Sequence, residues 1–151
     1  MNALKSIVLG FIAGAIAAVT AQELISWLFV QHWTGWSETP WSTEPVPSLV
    51  VPDIVLPWIA STAITGGLWG ALFGFILGWK PQGMMTIRGA ILGLFGPGLV
   101  GAMMTVPYLA HRPSPLLEGN VSELVPMLCI SVGFGAVMAW VYGLLSHCRL
   151  P

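Results

Sequence analysis

Four stretches of this chain, 7–30, 54–79, 87–110 and 124–146, are each long enough to cross a hydrocarbon layer as a helix and nearly free of charge. A bilayer core of about 30 Å takes about 20 helical residues. Charged residues make up 7% of the 151 positions and apolar ones 56%, whereas soluble domains are about a quarter charged. The pattern predicts an all-α integral membrane protein, a bundle of four transmembrane helices in one domain, 1–151. A barrel is excluded on periodicity. Barrel strands alternate polar and apolar residues over about ten positions, but Ala90-Ile91-Leu92-Gly93-Leu94-Phe95 is apolar on every side.

The few bases set direction. Lys5 precedes the first span, Lys80 and Arg88 lie near the turn between the second and third, and Arg149 follows the fourth. Only Arg112 falls on the other side. Cytoplasmic loops carry the excess of Lys and Arg, so both termini are expected in the cytoplasm. Loops 31–53 and 111–123 are then outside and loop 80–86 inside. Lys5 with the small residues Val19-Thr20-Ala21 also resembles a cleavable leader, but apolar character resumes at Leu24 and runs to Val30, favouring a retained span.

The first outer loop holds Trp33, Trp36 and Trp41 with Pro40, Pro45, Pro47 and Pro52. No helix persists through such spacing, and indoles favour the headgroup layer, as Trp27 and Trp58 also would. The loop is expected along the membrane surface. Asp53 and Ser122 are placed to cap the second and fourth spans, with Pro57 and Pro126 in early turns that have few bonds to lose. The short inner loop should make the second and third helices antiparallel neighbours. Cys129 and Cys148 read as ordinary thiols.

In the second span Gly66, Gly70, Gly74 and Gly78 recur every fourth residue, leaving a stripe without side chains. Helices in lipid associate through close packing, which small residues permit. The other spans carry Gly10, Gly14 and Ala18; Gly89, Gly93 and Pro97; and Gly135, Ala139 and Gly143. Either these stripes meet inside one chain, or the ladder faces outward to a second copy or a larger membrane complex. A faint internal echo accompanies them. Lys5 precedes Gly10 as Arg88 precedes Gly93, and Pro57 precedes Gly74 as Pro126 precedes Gly143. Both halves run in and out, as a parallel repeat would.

Glu23 is the one acid well inside a span, and buried ionisable groups in membranes are costly and often functional. It is either a proton or cation site facing a cavity, or a carboxylate that reaches water or the outer loop. Gln22, Thr65, Ser61 and Thr105 are candidate polar neighbours. Gly96-Pro97-Gly98 should interrupt the third helix, because proline lacks a donor and glycine resists the helix. His32, His111 and His147 lie at span ends, so no histidine pair is set to hold haem. No zinc motif or phosphate loop occurs. The near-balance of bases and acids gives nucleic acid no electrostatic footing. We therefore expect no catalytic residues, no metal site and no cofactor.

Gly10-Phe11-Ile12-Ala13-Gly14, Gly66-Gly67-Leu68-Trp69-Gly70 and Gly96-Pro97-Gly98-Leu99-Val100 together resemble a family of small four-helix bacterial inner-membrane proteins to which no activity is attached. The chain departs from that pattern at Gln22-Glu23, where a His-Gln pair would be expected. The resemblance implies a bacterial inner membrane and carries over no catalytic residues. Two functions follow from the residues. The first is a non-enzymatic structural or accessory subunit packing through glycine faces, with the bilayer and itself or a larger complex as partners. The second is a small channel or transporter for a proton, cation or small solute, using Glu23 and a broken third helix.

Overall fold

The computed structural model describes residues 3–47, 54–78, 85–109, 111 and 113–147. It is mostly helical, and four helices are long and apolar enough to cross a membrane: Ala3–His32, Trp58–Leu77, Met85–Thr105 and Val121–His147. We call these the first to fourth helices. The first and fourth run past the expected spans at both ends, the second falls short at both, and the third starts two residues early and ends five early. Residues 54–57 are not helical. Val55–Pro57 pairs antiparallel with Pro45–Pro47, Val46 standing opposite Leu56.

That small ladder explains where the second helix starts. Pro57 has extended backbone, and the first helical N–H groups go to loop carbonyls, Trp58 to Glu44 (2.9 Å) and Ile59 to Ser42 (3.1 Å). The outer loop thus caps the helix with its own backbone, satisfying groups that a helix start leaves open. Asp53, the expected cap, lies outside the described residues, as do Lys80, Arg112, Cys148 and Arg149. Before the fourth helix the capping residue is Asn120 rather than Ser122. Its carbonyl accepts from Glu123 and Leu124, and its Nδ2 donates to the Glu123 carboxylate at 3.1 Å.

The helices associate as two hairpins, first with second and third with fourth, and the first and fourth also pack together. The second and third, consecutive in the chain, touch far less. Their separation is bridged by side chains, Trp69 and Phe73 reaching over Gly96. Sequence adjacency set the direction of these two helices but not their distance.

Each hairpin closes on glycine. A Cβ placed on Gly70 would come within 2.6 Å of Gly14 Cα, and one on Gly135 within 2.7 Å of Gly93 Cα. These are backbone atoms with no room to move. Gly66, Gly74 and Gly78 likewise face Ala18, Gly10 and Ser6, so the ladder lies against the first helix. Gly143 is the exception. Its nearest neighbour is the Met85 sulfur at 3.5 Å, an ordinary contact.

The two hairpins use one contact pattern. Gly10 stands to Gly70 and Gly74 as Gly89 stands to Gly135 and Ala139; Gly14 stands to Gly66 and Gly70 as Gly93 stands to Ser131 and Gly135. Ser6 against Gly78 matches Met85 against Gly143. Packing therefore pairs Gly10 with Gly89, one helical turn from the Gly10–Gly93 pairing that the sequence echo suggests. Contacts fix this register because each small residue must meet a specific opposing carbonyl, a constraint that charge and proline spacing do not carry.

Beyond the glycine contacts, the first and third helices both widen. Residues Ala18–Gln22 and Leu94–Thr105 are wound as π-helix. The third helix is thus not broken at Pro97: it continues with its hydrogen bonds shifted to a five-residue step. Insertions of this kind collect at functional sites.

Candidate functional site

A cavity of about 260 Å³ opens between the hairpins on the side of the tryptophan-rich loop. The first helix gives it Gln22, Glu23 and Ser26, and the second gives Trp58, Ser61, Thr62, Thr65, Gly66 and Trp69. Pro97, Gly101 and Ala102 face it from the third helix, Met127, Ile130, Ser131 and Phe134 from the fourth, and Trp36 and Glu38 from the loop. Both widened segments border it. Its far end is closed by an aromatic cluster, Trp69–Phe73 with centroids 6.2 Å apart and Phe73–Phe134 at 6.3 Å. Behind that cluster the core between the hairpins is filled by buried Leu77, Met138 and Tyr142, the Tyr142 hydroxyl reaching the Gly74 carbonyl across it.

Glu23 is 2% exposed. Its Oε2 accepts the Trp41 backbone N–H at 2.8 Å. The other oxygen has no hydrogen bond among the described residues and is not sealed from accessible space. The Ser61, Thr62 and Thr65 hydroxyls are also without protein partners among them. Glu23 thus combines features of both sequence readings, meeting the outer loop and facing a cavity.

The loop is held by irregularities in the helices. Pro126 lacks the N–H that would bond the Ser122 carbonyl, and the Trp33 indole donates to that oxygen at 2.9 Å. The Glu23 N–H reaches Ala18, five residues back, while the intervening Val19 carbonyl accepts the Trp41 indole at 2.8 Å. Trp41 has a left-handed backbone, φ 53°, unusual for a bulky residue. It is anchored by both its N–H groups. The Trp36 indole donates to Ser26 Oγ (3.0 Å), which donates to Glu38 Oε2 (3.1 Å). The expected membrane-surface loop therefore folds over the cavity mouth, because these indoles find protein acceptors.

Glu38 is exposed as a residue, yet protein crowds its carboxyl group, and the latter governs its charge. Burial raises its pKa above the ordinary glutamate value; the Ser26 hydrogen bond opposes the rise and the negative charge of Glu23 adds to it. These two carboxyls are the ionisable groups among the described residues lining the cavity, with no Lys, Arg or His beside them.

Four of the five residues expected along a polar path, Gln22, Glu23, Thr65 and Pro97, border this cavity. Thr105 does not: it is exposed and donates to the Val100 carbonyl at 2.7 Å, its hydroxyl used by the widened helix. Sequence reasoning missed Glu38 and Trp36, because nothing local tells a loop acid that returns to a helix from one in water. The nearest signal is an acid set among three tryptophans. A second hollow, wider and more open, lies at the opposite end beside Met85, Ala139, Trp140 and Leu144, and has no carboxylate among its lining residues. Among the described residues no group of three or more His, Cys, Asp or Glu could hold a metal ion.

No family model, curated protein or solved structure matches this chain.

Proposed function

We propose that the protein is a small non-enzymatic carrier of the bacterial inner membrane, with both termini cytoplasmic, that binds a proton, cation or small solute between two glycine-closed hairpins. The observation behind this reading is a single cavity bordered by both Glu23 and Pro97. A carboxylate this deep in an apolar bundle is costly unless a proton, a cation or a hydrogen-bonding partner answers it. The placement of the bases and the Gly-rich segments support the orientation and the membrane assigned.

Buried Phe73, Leu77, Met138 and Tyr142 fill the core between the hairpins beyond the cavity, so passage requires the hairpins to shift against each other. The widened segments flanking the cavity are the places with the least regular bonding. The accessory-subunit reading draws less support, since the ladder that would dock a partner is occupied by the first helix.

The test is flux. Purified protein in liposomes with a trapped pH dye should dissipate a proton gradient, or do so when a cation is added outside. Glu23→Gln should lose that flux while eluting from a sizing column as wild type does. Equal flux in both proteins, or none above protein-free liposomes, contradicts the proposal.

A further inference from the structure

The two walls of the cavity are equivalent in position and opposite in chemistry. Extending the hairpin contact register along the regular second and fourth helices, Thr62 corresponds to Met127, Thr65 to Ile130 and Trp69 to Phe134, while the widened first and third helices bring Gln22 and Glu23 to one wall and Gly101 and Ala102 to the other; all ten line the cavity. The first hairpin presents a carboxylate, an amide and hydroxyls. The second presents, at the matching places, groups that are apolar or lack a side chain. Only at Gly66 and Ser131 is the polarity reversed, and the Ser131 hydroxyl is turned to the Met127 carbonyl at 2.7 Å.

We infer that this cavity takes a small amphipathic organic cation, its ammonium group against Glu23 and its apolar body against Ala102, Met127 and Ile130. The inference rests on the carrier reading above and names its ligand class. Charge selects the cation: a buried carboxylate with an unengaged oxygen faces a space that no basic side chain shares among the described residues. Aromatic rings reinforce the choice. Trp36, Trp58, Trp69 and Phe134 border the space, and ring faces attract organic ammonium groups most when water is excluded.

A bare inorganic cation fits less well. Calcium-type ions favour several charged or carbonyl oxygens at short range, whereas Glu23 and Glu38 are the carboxylates here, one Glu38 oxygen already accepts from Ser26, and the other oxygens are the neutral hydroxyls of Ser61, Thr62 and Thr65 and the Gln22 amide. Size bounds the other end. About 260 Å³ lies just below the usual range of about 300–1,000 Å³ for small-molecule sites, enough for one ring and a substituted nitrogen but not for a lipid chain.

The test uses the full chain in mild detergent, with intrinsic tryptophan fluorescence reporting binding. Four probes separate the sources of affinity: benzyltrimethylammonium, tetramethylammonium, potassium and benzyl alcohol. Benzyltrimethylammonium should bind, tetramethylammonium about tenfold more weakly for want of an apolar body, and neither potassium nor benzyl alcohol should displace the first. Glu23→Gln should weaken benzyltrimethylammonium about tenfold or more. Ile130→Thr, which gives the second wall the polarity of Thr65, should weaken benzyltrimethylammonium and leave tetramethylammonium unchanged.

Full displacement by potassium overturns the ligand class while leaving a cation carrier. Equal binding of benzyl alcohol overturns it in favour of a neutral solute. Absence of benzyltrimethylammonium binding together with Glu23-dependent proton flux overturns it and leaves the carrier; absence of both removes the carrier reading as well. The wild-type probe series decides these cases even if a variant fails to fold.

Discussion

The two ends of this bundle solve the packing problem in opposite ways. Toward the termini the seam inside each hairpin is made of small residues, and backbone meets backbone at Gly14–Gly70 and Gly93–Gly135. Toward the tryptophan-rich loop the same helices carry larger and polar groups, widen into π-helix and leave a cavity. Small residues gain dispersion contacts and weak Cα–H bonds where lipid supplies little drive for association. The cavity end forgoes those contacts around a carboxylate. A bundle built for packing alone would continue the glycine stripes, so the change marks the end adapted for something other than stability.

The largest expected effect tests the packed end. Gly70→Ile or Gly135→Ile places a branched side chain against immovable backbone and should cost more than about 3 kcal/mol, beyond usual overpacking. Aggregation on extraction and loss of a cooperative thermal transition would report it. Near-native melting of either variant would mean the hairpins are not closed as described.

Next in size is the pH response of the cavity end. Because burial raises the pKa of Glu38, its proton is held to higher pH than on an ordinary glutamate. Binding of an organic cation, favoured by the carboxylate, should weaken as pH falls, beginning above the usual carboxylate range. Glu38→Gln should remove that limb. For stability the sign follows from tighter proton binding by the folded chain: this group's contribution is full below its unfolded pKa and is lost as pH rises through its folded one. A binding profile identical in Glu38→Gln would contradict the assignment.

A smaller effect should follow from Trp33→Phe and Trp41→Phe, each removing an indole bond to a carbonyl that helix irregularity leaves available. About 1 kcal/mol each is expected for a hydrogen bond of this kind, read as lowered melting temperature with faster amide exchange in 33–47. Unchanged exchange would show that the loop is held by other contacts. Smallest of all, Gly101→Ala should alter stability by less than about 0.5 kcal/mol, since its Cβ would sit at ordinary contact distance, 3.4 Å, from Trp69. A large loss there would mean the cavity end is packed as tightly as the other.

Much of the bundle was legible because hydrophobic length is a direct consequence of the bilayer. Helix number and approximate limits follow from it, and Gly70 or Gly135 can be recognised as sites of close approach. Which stripe each meets cannot, since all four helices carry one. The cavity was half legible. Glu23 declares itself by being an acid among apolar residues, but Glu38 arrives through a loop whose path depends on carbonyls left open by Pro126 and by the π segment at Ala18–Gln22. Those acceptors exist only once the helices have formed, so no pattern in 31–53 encodes them. Pro97 was visible as an irregularity, though a shift in bonding step rather than a break resolves it.

The central claim is that the space between the hairpins is hollow and reachable by water toward the loop and filled by side chains in the packed core beyond it. In a chain with both native cysteines replaced by serine, Thr65→Cys in the cavity and Met138→Cys in the packed core can be exposed to a positively charged, membrane-impermeant thiol reagent. The account predicts rapid modification of Thr65→Cys, slowed by benzyltrimethylammonium, and none of Met138→Cys, which replaces a side chain that is 0% exposed. Equal reactivity at the two positions, or protection of Thr65→Cys without any added ligand, would contradict it.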